Sequence, residues 1–186
     1  MQNLSGKNIA ILATNGFEQS ELEVPLNTLR DAGATVHVIS PETGEIKGWD
    51  KTDWGNSVPV DKALSNASAD DYDAIVLPGG QINPDLLRVE PKAIELIKAF
   101  WEQKKVVAAV CHAPWLLIEA GVVSGRKVTS YPSIKTDVIN AGGLWEDSEV
   151  VVDKGLITSR KPDDLPAFCD KIGEEILEGK HESRAA

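Results

Sequence analysis

Short runs of consecutive apolar residues alternate along the chain with longer segments whose apolar positions recur every three or four residues. The short runs predict buried strands, and the clearest of them lie at residues 7–13, 35–40, 73–77 and 106–110. The longer segments predict amphipathic helices, one after Phe17 that ends near Ala32 with Pro25 inside it, and one from Pro91 to Lys104. This alternation is typical of a mostly parallel sheet with helices on both faces.

The second half of the chain continues the alternation. Past Gly125 the pattern predicts a strand at residues 127–130, a helix over 133–141, strands at 149–152 and 156–159, and a helix over 162–177. Residues 45–60 interrupt the pattern with a segment rich in Gly, Asp and Trp, which predicts a hairpin. Trp49 and Trp54 in this hairpin are candidates for interface anchors or for core packing.

Composition narrows the class of protein. The 186 residues are 42% hydrophobic and 26% charged, which indicates one globular domain over residues 1–186, with 179–186 as a flexible tail. No apolar stretch approaches the ~20 residues of a membrane span and no secretion signal precedes the first strand, so we expect a cytoplasmic protein. The formal net charge of −10 argues against nucleic acid and anionic membranes as partners.

The dipeptide Cys111-His112 carries the strongest chemical signal. It follows the apolar run at 106–110, and a helix begins directly after it, so Cys111 lies on a sharp strand-to-helix turn of the kind that presents a nucleophile. A helix N-terminus can lower a thiol pKa, which favours a reactive Cys111 over a buried structural cysteine. Cys169, one apolar position of an amphipathic helix, is expected to be structural. Because the sequence has neither C-x-x-C nor H-E-x-x-H, we expect no metal and no cofactor.

Ligands of parallel sheets bind outside the carboxyl ends of the strands. Three loops should therefore meet there: the loop with Glu18, the loop with Gly79 and Gly80, and the turn with Cys111. The distribution of histidines argues against a glutamine amidotransferase triad, since the other two, His37 and His181, do not form the downstream His-x-Glu that it uses.

Several segments together resemble the PfpI family of intracellular proteases, with its related protein deglycases and glyoxalases, in the class I glutamine amidotransferase-like superfamily. The parkinsonism-linked protein deglycase is a more distant member. The resembling segments are residues 15–21, 76–80, 110–114, 125–132 and 139–143. The resemblance implies a flavodoxin-like three-layer α/β sandwich with a nucleophile elbow and Cys111 as the nucleophile.

The resemblance also implies roles for two acidic residues. Glu18 corresponds to a carboxylic acid that lies against the sulfur and shares one proton with it; its alternative role is that of a solvated acid at a helix N-terminus. Asp85 corresponds to an acid that reaches from a neighbouring subunit to orient His112, the candidate general acid and base; its alternative role is to cap the next helix. If Asp85 reaches His112 of a neighbouring subunit, the protein forms a homodimer or a larger homo-oligomer.

The backbone N–H groups of Gly80 and His112 are expected to form an oxyanion hole, although Ala113 stands where the family usually has glycine. We therefore expect a stress-related, cysteine-dependent hydrolase or lyase whose thiolate attacks an electrophilic carbon. A peptide bond, a glycated adduct and a reactive aldehyde such as methylglyoxal all offer one. The alternative is a redox sensor or stress chaperone that uses an oxidisable Cys111 without turnover.

Overall fold

The strands and helices follow the alternation predicted from the apolar runs. The computed structural model describes residues 2–182. The strands are β1 (Asn8–Leu12), β2 (Phe17–Glu18), β3 (Thr35–Ser40), β4 (Glu45–Asp50), β5 (Asp53–Pro59), β6 (Lys62–Ala63), β7 (Ala74–Leu77), β8 (Val106–Val110), β9 (Lys127–Val128), β10 (Leu144–Trp145), β11 (Val150–Asp153) and β12 (Leu156–Ser159). The α-helices are α1 (Gln19–Asp31), α2 (Ile82–Leu87), α3 (Pro91–Glu102), α4 (Pro114–Glu119), α5 (Lys135–Asn140) and α6 (Leu165–Glu178).

Seven strands form the central sheet in the order β11-β12-β8-β7-β1-β3-β6, and only β11 runs antiparallel to its neighbour. Strand β8 shows why these segments form the middle of the sheet, since all five of its residues are buried. Alternate residues of each strand face opposite layers, and an apolar cluster fills each side. Helices α3 and α4 pack on one face and α1 and α6 on the other. The predicted three-layer α/β sandwich is confirmed.

The segment from Glu45 to Pro59 forms the predicted hairpin. Strands β4 and β5 pair antiparallel, and β2 extends them into a small three-stranded sheet. Trp49 and Trp54 are cross-strand partners whose rings meet edge to face, with centroids 5.5 Å apart. Because β2 directly precedes α1, the hairpin is held beside the loop that follows β1.

The C-terminal segment, for which a flexible tail from residue 179 is predicted, contacts the body of the protein as far as the structure describes it. The backbone N–H of His181 donates to the carbonyl of Lys104 at 3.0 Å, and the Lys104 ammonium lies 2.7 Å from the Glu182 carboxylate. The chain is therefore bound to the body of the protein up to Glu182, and residues 183–186 lie outside the described residues. None of the helices in residues 2–182 has the length and hydropathy that a membrane span requires.

Candidate active site

Cys111 lies on a sharp turn between β8 and α4, as predicted. Its φ of +63° is in the left-handed region, which costs a non-glycine residue on the order of 1–2 kcal/mol. Backbone hydrogen bonds hold this conformation, because the Cys111 N–H donates to the Ser159 carbonyl at 3.0 Å and the Cys111 carbonyl accepts from the Tyr131 N–H at 2.8 Å. The neighbouring β12 and the segment after β9 thus fix the backbone that carries the sulfur.

The loop that follows β7 approaches this turn through two glycines. A Cβ on Gly79 would lie 2.5 Å from Glu21 Oε2 and 2.7 Å from Cys111 Cβ, and a Cβ on Gly80 would lie 2.6 Å from the Gly16 carbonyl. Gly80 also has a φ of +83°. Side chains larger than hydrogen are therefore excluded at both positions. The predicted convergence of the three loops is present in the structure.

Asn83, which the sequence did not single out, fastens the glycine loop from within. It is fully buried, its Oδ1 accepts from the Thr14 N–H at 2.7 Å, and its Nδ2 donates to the carbonyls of Pro78 and Gly79 at 2.9 and 3.2 Å. One amide thus joins the loop after β1 to the loop after β7. A short helix, α2, carries it, and six residues are too few to show a clear helical period in the sequence.

The carboxyl that meets the sulfur belongs to Glu21, and the contact predicted for Glu18 is wrong. Glu18 caps the N-terminus of α1, where its Oε2 accepts from the Glu21 N–H at 2.9 Å. Glu21 lies one helical turn further on, faces the sheet, and is fully buried with its Oε2 accepting from the Gly79 N–H at 2.8 Å. Its place in the apolar stripe of α1 beside Leu22, Pro25, Leu26 and Leu29 is the sequence signal that could have identified it.

Burial, reinforced by the charge of Glu18, raises the pKa of Glu21 to about 8. Its second oxygen, Oε1, is buried and has no hydrogen-bond partner among the residues that the structure describes. Burial of an oxygen without a hydrogen-bond partner disfavours the ionised carboxylate. At neutral pH we therefore treat Glu21 as a protonated acid beside Cys111.

Burial raises the pKa of Cys111, and so does Glu21 in its ionised form. The backbone N–H groups of Gly80 and His112 act on the sulfur in the opposite direction and lower that pKa. The direction predicted from the helix N-terminus is thus reversed, because the side chain is buried and α4 has only six residues. Both N–H groups of the predicted oxyanion hole do point at the nucleophile.

His112 contacts the sulfur although it is the next residue in the chain. Its Nδ1 lies 3.1 Å from Cys111 Sγ, its Nε2 lies 3.1 Å from Ser133 Oγ, and its ring stacks on Tyr131 with centroids 4.8 Å apart. Burial lowers the pKa of His112, so the imidazole is neutral at pH 7 and free to accept a proton. Ser133, which sequence reasoning missed, is the group that orients this ring within the chain.

Asp85 lies exposed in the first turn of α2. Within residues 2–182 of a single chain it makes no hydrogen bond to His112, whose ring nitrogens contact Cys111 and Ser133. It does not cap the next helix either, since Glu90 caps α3. Its role across a subunit interface stays a prediction.

The sulfur lies at the base of a cavity of about 400 Å³. Apolar and charged side chains from the hairpin and from the loops line it, namely Glu18, Trp49, Lys51, Ile82, His112 and Tyr131. Glu18 thus belongs to the wall of the site and not to the contact with sulfur. Trp49 is part of the same wall, whereas its partner Trp54 is 46% exposed.

Cys169 contrasts with this arrangement. It is only 1% exposed in the middle of α6, and burial raises the pKa of its thiol to about 12. Both cysteines are free. The expected division between an inert Cys169 and a Cys111 that opens into a cavity is consistent with this geometry.

Residues 7–175 match the model of the DJ-1/PfpI family. The chain belongs to this family. It is 45% identical to the "Putative cysteine protease YraA" of Bacillus subtilis over 163 residues. This match covers 87% of this chain and 94% of that protein. The chain is 44% identical over 163 residues to the "Protein/nucleic acid deglycase 2" of Escherichia coli, covering 87% and 93% of the two chains. Among solved structures, Drosophila melanogaster DJ-1beta superposes with a TM-score of 0.83 and 30% identity over 94% of this chain and 95% of that one. These matches confirm the fold and the family that the elbow and loop segments indicated.

Proposed function

We propose that this DJ-1/PfpI protein is a cysteine-dependent hydrolase of carbonyl adducts, with Cys111 as the nucleophile. This proposal rests on the groups that surround the Cys111 sulfur. A protonated carboxyl, an imidazole nitrogen at 3.1 Å and two backbone N–H groups converge on it at the base of a cavity. The names of the relatives, which include deglycase and cysteine protease, support a hydrolytic or deglycating reaction in general.

The pKa values of the Cys111 thiol and of the Glu21 carboxyl are both raised, so each group holds its proton near neutral pH. The neutral His112 imidazole, whose Nδ1 lies 3.1 Å from Sγ, takes the thiol proton as the nucleophile forms, and the Glu21 O–H then donates to the thiolate so that no two negative charges lie together. The thiolate lone pair forms the C–S bond with the carbonyl carbon, and the carbonyl π electrons move to its oxygen, which the N–H groups of Gly80 and His112 stabilise.

With a peptide, the oxyanion expels the amine, to which His112 gives a proton, and water hydrolyses the resulting thioester. An α-oxoaldehyde has no leaving amine, so His112 instead moves the proton of the sulfur-bearing carbon to the adjacent carbonyl carbon and the hydroxyl proton to that carbonyl oxygen, and water hydrolyses the resulting thioester to a 2-hydroxy acid. A glycated amine enters this second route once its hemiaminal has released the amine with a proton from His112.

A small carbonyl compound fits the site better than a peptide. The cavity of about 400 Å³ lies at the low end of ligand pockets, which span roughly 300–1,000 Å³. The ammonium of Lys51 and the carboxylate of Glu18 lie in its wall and offer opposite charges to a polar substrate. We therefore place glycated amines and α-oxoaldehydes such as methylglyoxal first, with short peptides as the alternative outcome of the assay.

The test is a parallel assay of wild type, Cys111→Ser and Cys169→Ser on methylglyoxal, on a methylglyoxal-modified amine and on a fluorogenic peptide. We expect turnover of a carbonyl substrate by wild type and Cys169→Ser and its loss in Cys111→Ser. Cleavage of the peptide alone would overturn the substrate assignment. Absence of turnover on all three, with peroxide converting Cys111 to a sulfinic acid, would favour the redox-sensor alternative.

We further propose that the active form is a homo-oligomer in which α2 lies at the interface. The exposed apolar side chains of Ile82, Leu86 and Val89 lie on and after this helix, next to Asp85 and to the cavity. Light scattering combined with the activity of Asp85→Asn tests this proposal. A monomer with full turnover, or an Asp85→Asn variant that keeps it, would refute the cross-subunit role. The two free cysteines favour a reducing compartment, and we place the reaction in the cytoplasm.

A further inference from the structure

A second cluster of titratable side chains lies far from Cys111. Glu175 and Glu178 on the last turns of α6 meet His181 of the segment that follows, with the spacing Glu-x-x-Glu-x-x-His. The cluster packs against Gly155 at the start of β12, whereas Cys111 lies beyond the other end of the neighbouring β8. The two sites therefore lie at opposite ends of the parallel strands. The cluster also extends past residue 175, where the family match ends.

The ligand atoms of the three side chains lie close together. One oxygen of each glutamate and one ring nitrogen of His181 all lie within 4.8 Å of each other. Glu175 Oε2 and His181 Nε2 are 3.5 Å apart. Two ligands bound tetrahedrally to Zn²⁺ at about 2.0–2.2 Å lie about 3.4 Å from each other. One edge of a zinc tetrahedron thus has close to its required length, and Glu178, which is exposed, can adjust to close the rest.

His181 supplies independent evidence for a bound cation. Its side chain is only 8% exposed, yet within residues 2–182 the buried Nε2 atom has no hydrogen-bond partner. A separation of 3.5 Å from Glu175 is too long for a good hydrogen bond. A bound cation would satisfy a buried imidazole nitrogen that lies beside two carboxylates.

The surroundings fix two of the three ligands. The Gly155 N–H donates to Glu175 Oε2 at 3.0 Å, which orients that carboxylate. Gly155 also leaves room for the imidazole, since a Cβ at this position would lie 2.2 Å from the His181 ring. Such support of ligands by a further shell of contacts is typical of metal sites.

We propose that Glu175, Glu178 and His181 bind a Zn²⁺ ion, with water as the fourth ligand on the exposed side. Two carboxylates balance the charge of a divalent cation, and the imidazole favours Zn²⁺ over Mg²⁺ or Ca²⁺, which prefer oxygen ligands alone. The ion ties residues 179–182 to α6 and to the β11–β12 turn. Its role is to brace the C-terminus against the sheet, apart from the reaction at Cys111.

The test is a calorimetric titration of metal-free protein with ZnCl₂, accompanied by thermal unfolding with ZnCl₂ or with EDTA. Because Cys111 and His112 could also bind zinc, the titration is repeated in Cys111→Ala. We expect one site to remain in that variant, and a Tm that rises by several degrees with zinc and falls back with EDTA.

Two substitutions and one control locate the site. Glu178→Gln changes an exposed side chain by one atom and should weaken zinc binding at least tenfold, and His181→Gln should abolish it. Glu174→Gln, on the same helix but outside the cluster, should bind like the parent protein. Unchanged affinity in both Glu178→Gln and His181→Gln, or no zinc binding in Cys111→Ala, would overturn the proposal.

Discussion

Replacement of Glu21 by glutamine tests the electrostatics of the candidate active site through protein stability. Glutamine has the same shape as the protonated acid, so its oxygen can accept from the Gly79 N–H and its amide can donate to Cys111 Sγ. It carries no charge at any pH. Any dependence on pH that separates the two proteins therefore comes from the titration of Glu21.

The size of the effect follows from the pKa of Glu21, which is raised from 4.5 to about 8, first by burial and second by Glu18. Between these two values the folded protein binds a proton that the unfolded chain has lost. The resulting stabilisation is complete below pH 4.5 and is lost as the pH rises through about 8. At about 1.4 kcal/mol per pKa unit, the loss is on the order of 4–5 kcal/mol. The variant should therefore gain that much relative to wild type across the interval.

The measurement is urea denaturation of both proteins at several pH values across this interval, repeated in a Cys111→Ala background to remove the coupled thiol. Glu23→Gln is the matched control, because Glu23 lies on the same helix but accepts from Asn56 Nδ2 at 3.0 Å on the outer side. It should follow the wild-type profile. Parallel stability curves for wild type and Glu21→Gln would refute the assignment of a buried, protonated Glu21.

Three further outcomes test other parts of the site. Iodoacetamide near neutral pH should modify Cys111 at least about tenfold faster than Cys169, as located by mass spectrometry of peptides, since only the first opens into a cavity; faster labelling of Cys169 would contradict this. Ser133→Ala should lower kcat about tenfold by releasing the His112 ring, and Ser133→Thr should retain activity, because general acid–base catalysis depends on orientation; equal kcat values would exclude the role of Ser133. Asn83→Leu removes three hydrogen bonds and should cost about 3 kcal/mol in urea denaturation, at about 1 kcal/mol each; a loss below about 1 kcal/mol would show that the loops hold together without it.

The central strands could be predicted because their residues are buried on both faces and form uninterrupted apolar runs, as in β8. Most of the shortest elements could not. Strands β2, β6 and β10 have two residues each, which is too few for a pattern to reveal its period, and the six residues of α2 include Pro84. These elements depend on tertiary contacts for their existence.

In the candidate site, too, some residues could be predicted from the sequence and others could not. Cys111 and the Gly79-Gly80 loop follow from local sequence, since a turn and a close backbone approach select particular residue types there. The choice between Glu18 and Glu21 depends on the residue at which α1 begins, and one helical turn exchanges a cap for a buried acid. Ser133 lies twenty-one positions after His112 and meets it only through the tertiary fold.

At Cys111 the left-handed backbone lowers the stability of the folded protein, but the residue there provides the reactive thiol. Glycine would adopt the φ of +63° without strain, so a chain selected for stability alone would carry glycine at this position and have no nucleophile. Directed evolution of this protein for heat resistance, without a screen for turnover, should therefore tend to eliminate the thiol. The strained turn makes the activity something that selection must maintain actively.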